Sequence, residues 1–315
     1  MLEDMEKVVE DVVVQILDEL IEGGVLRGEV QHGGRVLRWV EAGSGAPAVV
    51  FDAGLAEPGS LAWAGVLPAV AAHTRVIAYD RAGVGASDPM SRLTLDAQIA
   101  DLIALLIGAG GEPCVLVGHS WGGLLVQLAA LSRPDLVAGM LLVDPAHEET
   151  LAAVPLVLRG VLSAPGYVAL LLHSLGFLGP TLRRQYRPFA QRVTDDARLQ
   201  SSILEAYASC FTKATQVRML RDENRLGTRA ISRIRQIRAD SAPPRVPVVV
   251  YSATKGLPKG MRDRWTKLQA NLTGTVPGSE HMIVEDTGHA IHQQRPEQVA
   301  NSIIRLVAGL QRPAA

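Results

Sequence analysis

The chain has 315 residues, 48% of them apolar and 20% charged, which suits one large α/β domain carrying an insertion. A formal net charge of −1 gives no overall attraction to nucleic acid, so no nucleic-acid partner is expected. Two cysteines, Cys114 and Cys210, exclude a disulfide framework and a Cys-x-x-Cys metal site, and the expected compartment is cytoplasmic.

Residues 1–22 carry Glu3, Asp4, Glu6, Glu10 and Asp11, the opposite of a basic signal-peptide start. Val8, Val9, Val12, Val13, Ile16, Leu17, Leu20 and Ile21 recur at helical spacing and predict an N-terminal amphipathic helix. Its stripe is read as packing on the body; the alternatives are a homodimer contact or a membrane surface, the latter disfavoured by the acidic polar face. Val25–Val30 and Arg35–Glu41 read as two strands joined by a Gly33-Gly34 hairpin turn. Ala48–Phe51 reads as a buried strand, and Leu61–Ala72 as a helix that Pro68 must break or kink. Arg75–Tyr79 is the next strand, followed by a glycine-rich loop over Asp80–Asp88. Gly83 and Gly85 lack the third glycine of a dinucleotide fingerprint, and Asp80 and Arg81 are read as holding their own loop together. Thr94 caps a helix running to about Ile107.

The stretch Val115–Gly123 is the most informative. An apolar strand, with Cys114 as a small buried hydrophobe, ends in Gly118-His119-Ser120-Trp121-Gly122, and Leu124–Leu131 continues as a helix. A serine on so sharp a strand-to-helix turn has a strained backbone and a side chain pushed into the open. Any Cβ at Gly118 or Gly122 would collide across the turn. The Trp121 N–H, in the first helical turn, can point at a developing oxyanion.

Beyond it, Ala138–Val143 is a strand, and the alternation stops at Asp144. Residues 145–242 read as a helical cap over the carboxyl edge of the sheet. Pro155, Arg159, Pro165, Gly166 and His173 interrupt its apolar part too often for a spanning helix, so no integral membrane segment is expected. Leu156, Val157, Leu158, Leu170, Leu171, Phe177 and Leu178 suggest a hydrophobic acyl or alcohol group, although most are read as core. Strands at Val246–Tyr251 and His281–Glu285 and helices at Met261–Leu272 and Pro296–Leu310 resume the pattern. Strands alternating with helices mean a mostly parallel sheet covered on both faces. The body is thus 23–144 and 243–315.

From Val25 to Leu310 the chain resembles the α/β-hydrolase family, in its esterase-like branch with a helical cap: the elbow, the Asp80–Asp88 loop and Thr287-Gly288-His289 occur in the family's order. The resemblance implies an eight-stranded, mostly parallel sheet and a Ser–acid–His triad, without metal or organic cofactor. Ser120 is the candidate nucleophile, and His289 takes the role of the family's histidine before the final helix. His292 is the near competitor, otherwise a helix-start or surface residue. His119 is read as hydrogen-bonding locally, and His147 and His173 as lining the pocket. The family's usual acid position, the loop Ser252–Gly256, holds no acid before Asp263; its second position holds Asp144, which is preferred. The second oxyanion donor is assigned to the Leu55 N–H, in Ala53-Gly54-Leu55.

A serine rather than a carboxylate nucleophile argues against halide displacement and against epoxide opening through an aspartyl ester. The expected activity is cleavage of a hydrophobic small-molecule ester through an acyl-enzyme. The alternatives are a thioester, lactone, amide or carbon–carbon bond, or a ligand-binding protein that keeps the fold without turnover.

Overall fold

A computed structural model describes residues 2–55, 57–152, 171–172, 175–212, 214–274 and 276–312. Eight strands form one sheet: β1 (Leu26–His32), β2 (Arg35–Ala42), β3 (Val49–Asp52), β4 (Val76–Asp80), β5 (Cys114–His119), β6 (Val137–Val143), β7 (Val248–Ala253) and β8 (Glu280–Val284). Their order is β1-β2-β4-β3-β5-β6-β7-β8. The β1–β2 and β2–β4 pairs are antiparallel and the remaining pairs parallel. Gly33 and Gly34, at φ +57° and +75°, make the β1–β2 turn in a conformation that twists with the strands and that residues with a Cβ resist.

The central strands are buried on both faces because helices cover both. Alternate residues divide between two cores. Phe51, Val115, Val117, Leu141 and Val143 pack with Trp63 and Leu67, and with Val299 and Ile303 of α12 (Pro296–Gln311). Val50, Leu116 and Leu142 pack with Leu102 of α3 (Leu95–Gly108) and Leu124 and Leu125 of α4 (Ser120–Ser132). Thr94 caps α3 as expected, its Oγ1 accepting the Ala97 N–H at 3.1 Å.

Pro68 acts as a break. The segment splits into a 3-10 turn at Gly59–Trp63 and a short α2 (Leu67–Ala71), with Pro68 in the first turn, where its missing N–H costs nothing. The seventh strand begins at Val248 rather than Val246, since Pro247 cannot donate to the ladder.

The N-terminal helix α1 (Leu2–Leu20) lies on the body: Val13, Ile16 and Leu17, with Ile21 just after it, are buried in the first core. Glu19 pairs with Arg198 of α7 (Ala197–Thr212). Between β6 and β7 the described residues form α5 (Glu148–Ala152), α6 (Leu178–Val193), α7, α8 (Ala214–Arg229) and α9 (Ile231–Asp240). α6 and α7 pack through Tyr186 and Phe189 on Tyr207, at ring-centroid distances of 4.3 and 5.4 Å. The expectation that the apolar residues of the insertion are core is corrected in part. Leu178 is buried, but Leu171 and Phe177 are 58% and 60% exposed. Leu156, Val157, Leu158, Leu170 and His173 lie outside the described residues.

Leu17 is wholly inaccessible. Leu17→Ala is expected to lower unfolding free energy by about 2–4 kcal/mol in urea denaturation. A change below about 0.5 kcal/mol, the usual surface value, would mean that α1 does not dock on the body.

Candidate active site

β5 runs into α4 without a connecting loop, and Ser120 takes the turn at φ +51°. A Cβ on Gly118 would lie 2.6 Å from the Gly122 oxygen, and one on Gly122 would lie 2.4 Å from the oxygens of both Asp52 and Ala53. The absence of both side chains lets the turn close against the end of β3. The Ser120 carbonyl accepts the Ala146 N–H at 2.9 Å, joining the elbow to the chain just beyond β6.

Ser120 meets His289 and Asp144. His289 Nε2 lies 2.8 Å from Ser120 Oγ, and His289 Nδ1 lies 2.6 Å from Asp144 Oδ2. His289 sits between β8 and α11 (Ile291–Gln294), in a loop fixed by its own polar groups. The Thr287 hydroxyl donates to the Val284 carbonyl at 2.6 Å, and the Gly288 N–H donates to Gln294 Oε1 at 3.0 Å. The imidazole is 41% exposed and the Asp144 side chain not at all, so an accessible base is backed by a buried acid.

Asp144 ends β6 at φ +41°. Its Oδ1 accepts Arg262 Nη1 at 2.9 Å, Gln269 Nε2 at 3.0 Å and the Ala253 N–H at 3.2 Å. Burial pushes the carboxyl up, but the hydrogen bond and charge of His289, with Arg262 and Gln269, outweigh it and hold Asp144 below its ordinary value. Asp263, the competing acid, is exposed and pairs with Lys259 at 2.6 Å, one turn earlier on α10 (Lys259–Ala270).

On the other side, Leu55 is half-buried at the end of β3. Arg81 binds the Ala53 carbonyl and, at 2.8 Å, the Gly54 carbonyl. The Leu55 N–H shares the Gly54 peptide and points opposite to its carbonyl, away from Arg81. Arg81 is in turn held by Asp52 at 2.6 Å and by Glu223 of α8 at 2.9 Å. Glu223 accepts Gln98 Nε2 at 2.7 Å, and Gln98 accepts the Trp121 indole N–H at 3.0 Å. Trp121 therefore sends its side chain into the second core from the first turn of α4. The reading of Asp80 and Arg81 as holding their own loop together agrees for Asp80, which accepts the N–H groups of Ala86 at 2.9 Å and of Ser60 at 2.8 Å; it is corrected for Arg81, whose guanidinium leaves the loop to bind the end of β3 and Glu223.

The remaining histidines separate. His147 pairs with Glu148 at 3.5 Å. The expectation that His119 hydrogen-bonds locally is corrected: Nδ1 lies 2.9 Å from Glu57 Oε2, 62 positions away, and Nε2 lies 3.1 Å from the His289 carbonyl, 170 positions away, because the elbow turns the ring towards the end of β3 and the His289 loop. His292 stands at the start of α11, as one of its two expected placements has it, and is not at the surface. Fully buried, its ring lies tilted between those of Trp63 and His119 at 4.5 and 4.4 Å, because the first core closes over that short helix. Donor atoms of Glu57, His119 and His292 all lie within 4.8 Å of one another, a grouping that could hold a metal ion.

Sequence reasoning did not single out Glu57, Arg262, Gln269 or Glu223. Arg262 and Gln269 are seven positions apart on α10, two turns on one face, and that polar pairing was the available signal. Glu57 is the one charged residue in the stretch from Ala53 to Leu61, where Ser60 is the only other polar side chain.

A mostly parallel sheet with a serine at a strand-to-helix elbow, backed by a histidine and a buried acid, defines the α/β-hydrolase class. Residues 42–302 match the model of the alpha/beta hydrolase family, and the chain belongs to that family. It is 39% identical over 93 residues to the lipase LipV of Mycobacterium tuberculosis, a match spanning 30% of this chain and 36% of that protein. It is 24% identical over 301 residues to a soluble epoxide hydrolase of Corynebacterium sp. (strain C12), spanning 87% of this chain and 94% of the other. The solved structure of epoxide hydrolase A from Mycobacterium thermoresistibile superposes with a TM-score of 0.69 at 24% identity, over 92% of this chain and all of that one. Among the described residues no helix is long and apolar enough to cross a membrane.

A carboxyl held below its unfolded value adds stability above that value, about 3.9 for aspartate, and loses it as pH falls through the folded value. Asp144→Asn should therefore be less stable than the parent protein at pH 7, with the gap narrowing below about pH 4 in urea denaturation. A gap independent of pH would contradict the lowered carboxyl.

Proposed function

We propose that the protein is a serine hydrolase that cleaves carboxylic esters of a hydrophobic small molecule through an acyl-enzyme. The observation that carries this reading is the series Asp144–His289–Ser120, with contacts of 2.6 and 2.8 Å ending at a serine on a strained elbow. A serine hydroxyl needs such a base within hydrogen-bond reach to act as a nucleophile at neutral pH.

Ser120 Oγ attacks the ester carbonyl as its proton passes to His289 Nε2. Asp144 keeps the other ring proton on Nδ1 and stabilises the imidazolium. The Leu55 and Trp121 N–H groups hold the oxyanion, each contributing about 3 kcal/mol. The intermediate collapses as His289 protonates the leaving alkoxide. Water, deprotonated by the same imidazole, then releases the acid and regenerates Ser120.

Similarity to a lipase over part of the chain supports an ester. The epoxide hydrolases among the relatives raise a different bond, but opening an epoxide through an enzyme ester requires a carboxylate nucleophile, and the elbow carries Ser120. The apolar composition of residues 151–178 favours a hydrophobic acyl or alcohol group.

Ser120→Ala should keep the parent circular dichroism spectrum, abolish p-nitrophenyl ester turnover and lose labelling by a fluorophosphonate. Persistent turnover would refute the nucleophile. For the acid, Asp144→Asn should lower kcat by several orders of magnitude, and Asp263→Asn should leave it within about twofold; the opposite ranking would reassign the acid.

A further inference from the structure

We propose that Ser252 and His281 position the triad acid: through the Gln269 amide they hold the Asp144 carboxylate at the rotation that offers Oδ2 to His289. The inference rests on the serine-hydrolase reading and adds positioning residues to it.

Ser252 opens the stretch that the resemblance gives as the usual acid position, and here it carries a hydroxyl. It lies in β7 and has no exposed surface. Val250 of β7 pairs with His281 of β8, so Ser252 and His281 point to the same face of the sheet, where Gln269 of α10 meets them. Ser252 Oγ donates to Gln269 Oε1 and lies 2.8 Å from His281 Nε2. Gln269 Nε2 lies 3.0 Å from both Asp144 Oδ1 and the Pro145 carbonyl.

The chemistry of these contacts leaves one set of directions. A carboxylate and a carbonyl only accept, so the amide protons of Gln269 face Asp144 and Pro145, and its oxygen faces Ser252. That oxygen also only accepts, so Ser252 gives it the one hydroxyl proton. Ser252 Oγ then has only lone pairs to offer, and His281 presents an N–H to it from Nε2. Each bond fixes the next, from half-buried His281 to fully buried Gln269. A turned amide would set its oxygen against two acceptors.

Besides His289, Asp144 accepts from Arg262, Gln269 and Ala253, and the three are not equivalent. Arg262 Nη1 reaches both carboxylate oxygens, at 2.9 and 3.1 Å, and does not choose between them. Gln269 and the Ala253 N–H reach Oδ1 alone. Gln269 also holds the Pro145 carbonyl, and so ties the carboxylate plane to the backbone that bears it. Oδ2 is left for His289, at 2.6 Å.

The test compares single and double variants of the full-length protein. Gln269→Met, close in volume but without the amide, should lower kcat on a p-nitrophenyl ester and the rate of fluorophosphonate labelling by about 10–100-fold, with KM within about twofold. The Nδ1 proton resonance of His289, followed with nitrogen-15-labelled histidine, should move upfield as its bond to Asp144 loosens. Ser252→Ala should show the same signature at smaller size. Adding it to Gln269→Met should cost nothing further, because Ser252 acts through that amide. Parental kcat and labelling in either single variant would overturn the proposal. So would losses that multiply in the double variant, or a lowered kcat with the His289 resonance unmoved. If Gln269→Met fails to fold, Ser252→Ala and His281→Phe decide by the same rule: each should lower kcat, and together no further than Ser252→Ala alone. If the parent protein neither turns over nor labels, the hydrolase reading fails, while the His289 resonance still decides the positioning.

Discussion

The site depends on one close approach of backbones. α4 begins so near the end of β3 that Gly122 has the carbonyls of Asp52 and Ala53 where its Cβ would be. That contact places the Ser120 hydroxyl and the amides after Ala53 on the same rim of the sheet. The elbow and the segment after β3 are therefore set against each other by a single steric condition. Ser120 at φ +51° and Asp144 at φ +41° carry the strain of meeting at that rim, at the ends of neighbouring strands.

Around this contact the protein buries two matched charge clusters. Asp144 has Arg262, Gln269 and His289, and Arg81 has Asp52 and Glu223. Such pairs add little net stability over an apolar core, because desolvation offsets most of the attraction. Their value here is directional. Each fixes a peptide group or an imidazole in one orientation at the rim, where a small misplacement costs rate.

The strands and the elbow were legible because their signals are local. Glycines that a turn requires, apolar runs and a proline that must break a helix leave their mark within a few positions. Ser120, His289 and Asp144 meet across 169 and 145 positions of chain, and the resemblance to a known family supplied that pairing. The supporting polar residues were not legible. Glu57 meets His119 from 62 positions away and Glu223 meets Arg81 from 142; Glu57 is marked only by being a lone acid among small and apolar residues, and Glu223, in Arg221-Asp222-Glu223-Asn224-Arg225, looks like a solvated one. His292 stands at a helix start as expected, but its burial was not legible, because Trp63 and the core above it decide that, not its own neighbours in sequence.

The chain from Glu223 through Gln98 to Trp121 has a consequence for modularity. In folds of this kind an insertion between strands is often treated as exchangeable, a place where substrate choice is altered while the chemistry stays. Here α8 reaches through that boundary with a buried carboxylate that closes the coordination of Arg81. Replacing residues 145–242 with a foreign segment would leave the buried Arg81 guanidinium with Asp52 as its carboxylate partner and without the one that Glu223 supplies, beside the Gly54 carbonyl. The insertion and the body are one unit at that point, and a chimaera between them has to carry Glu223 with it.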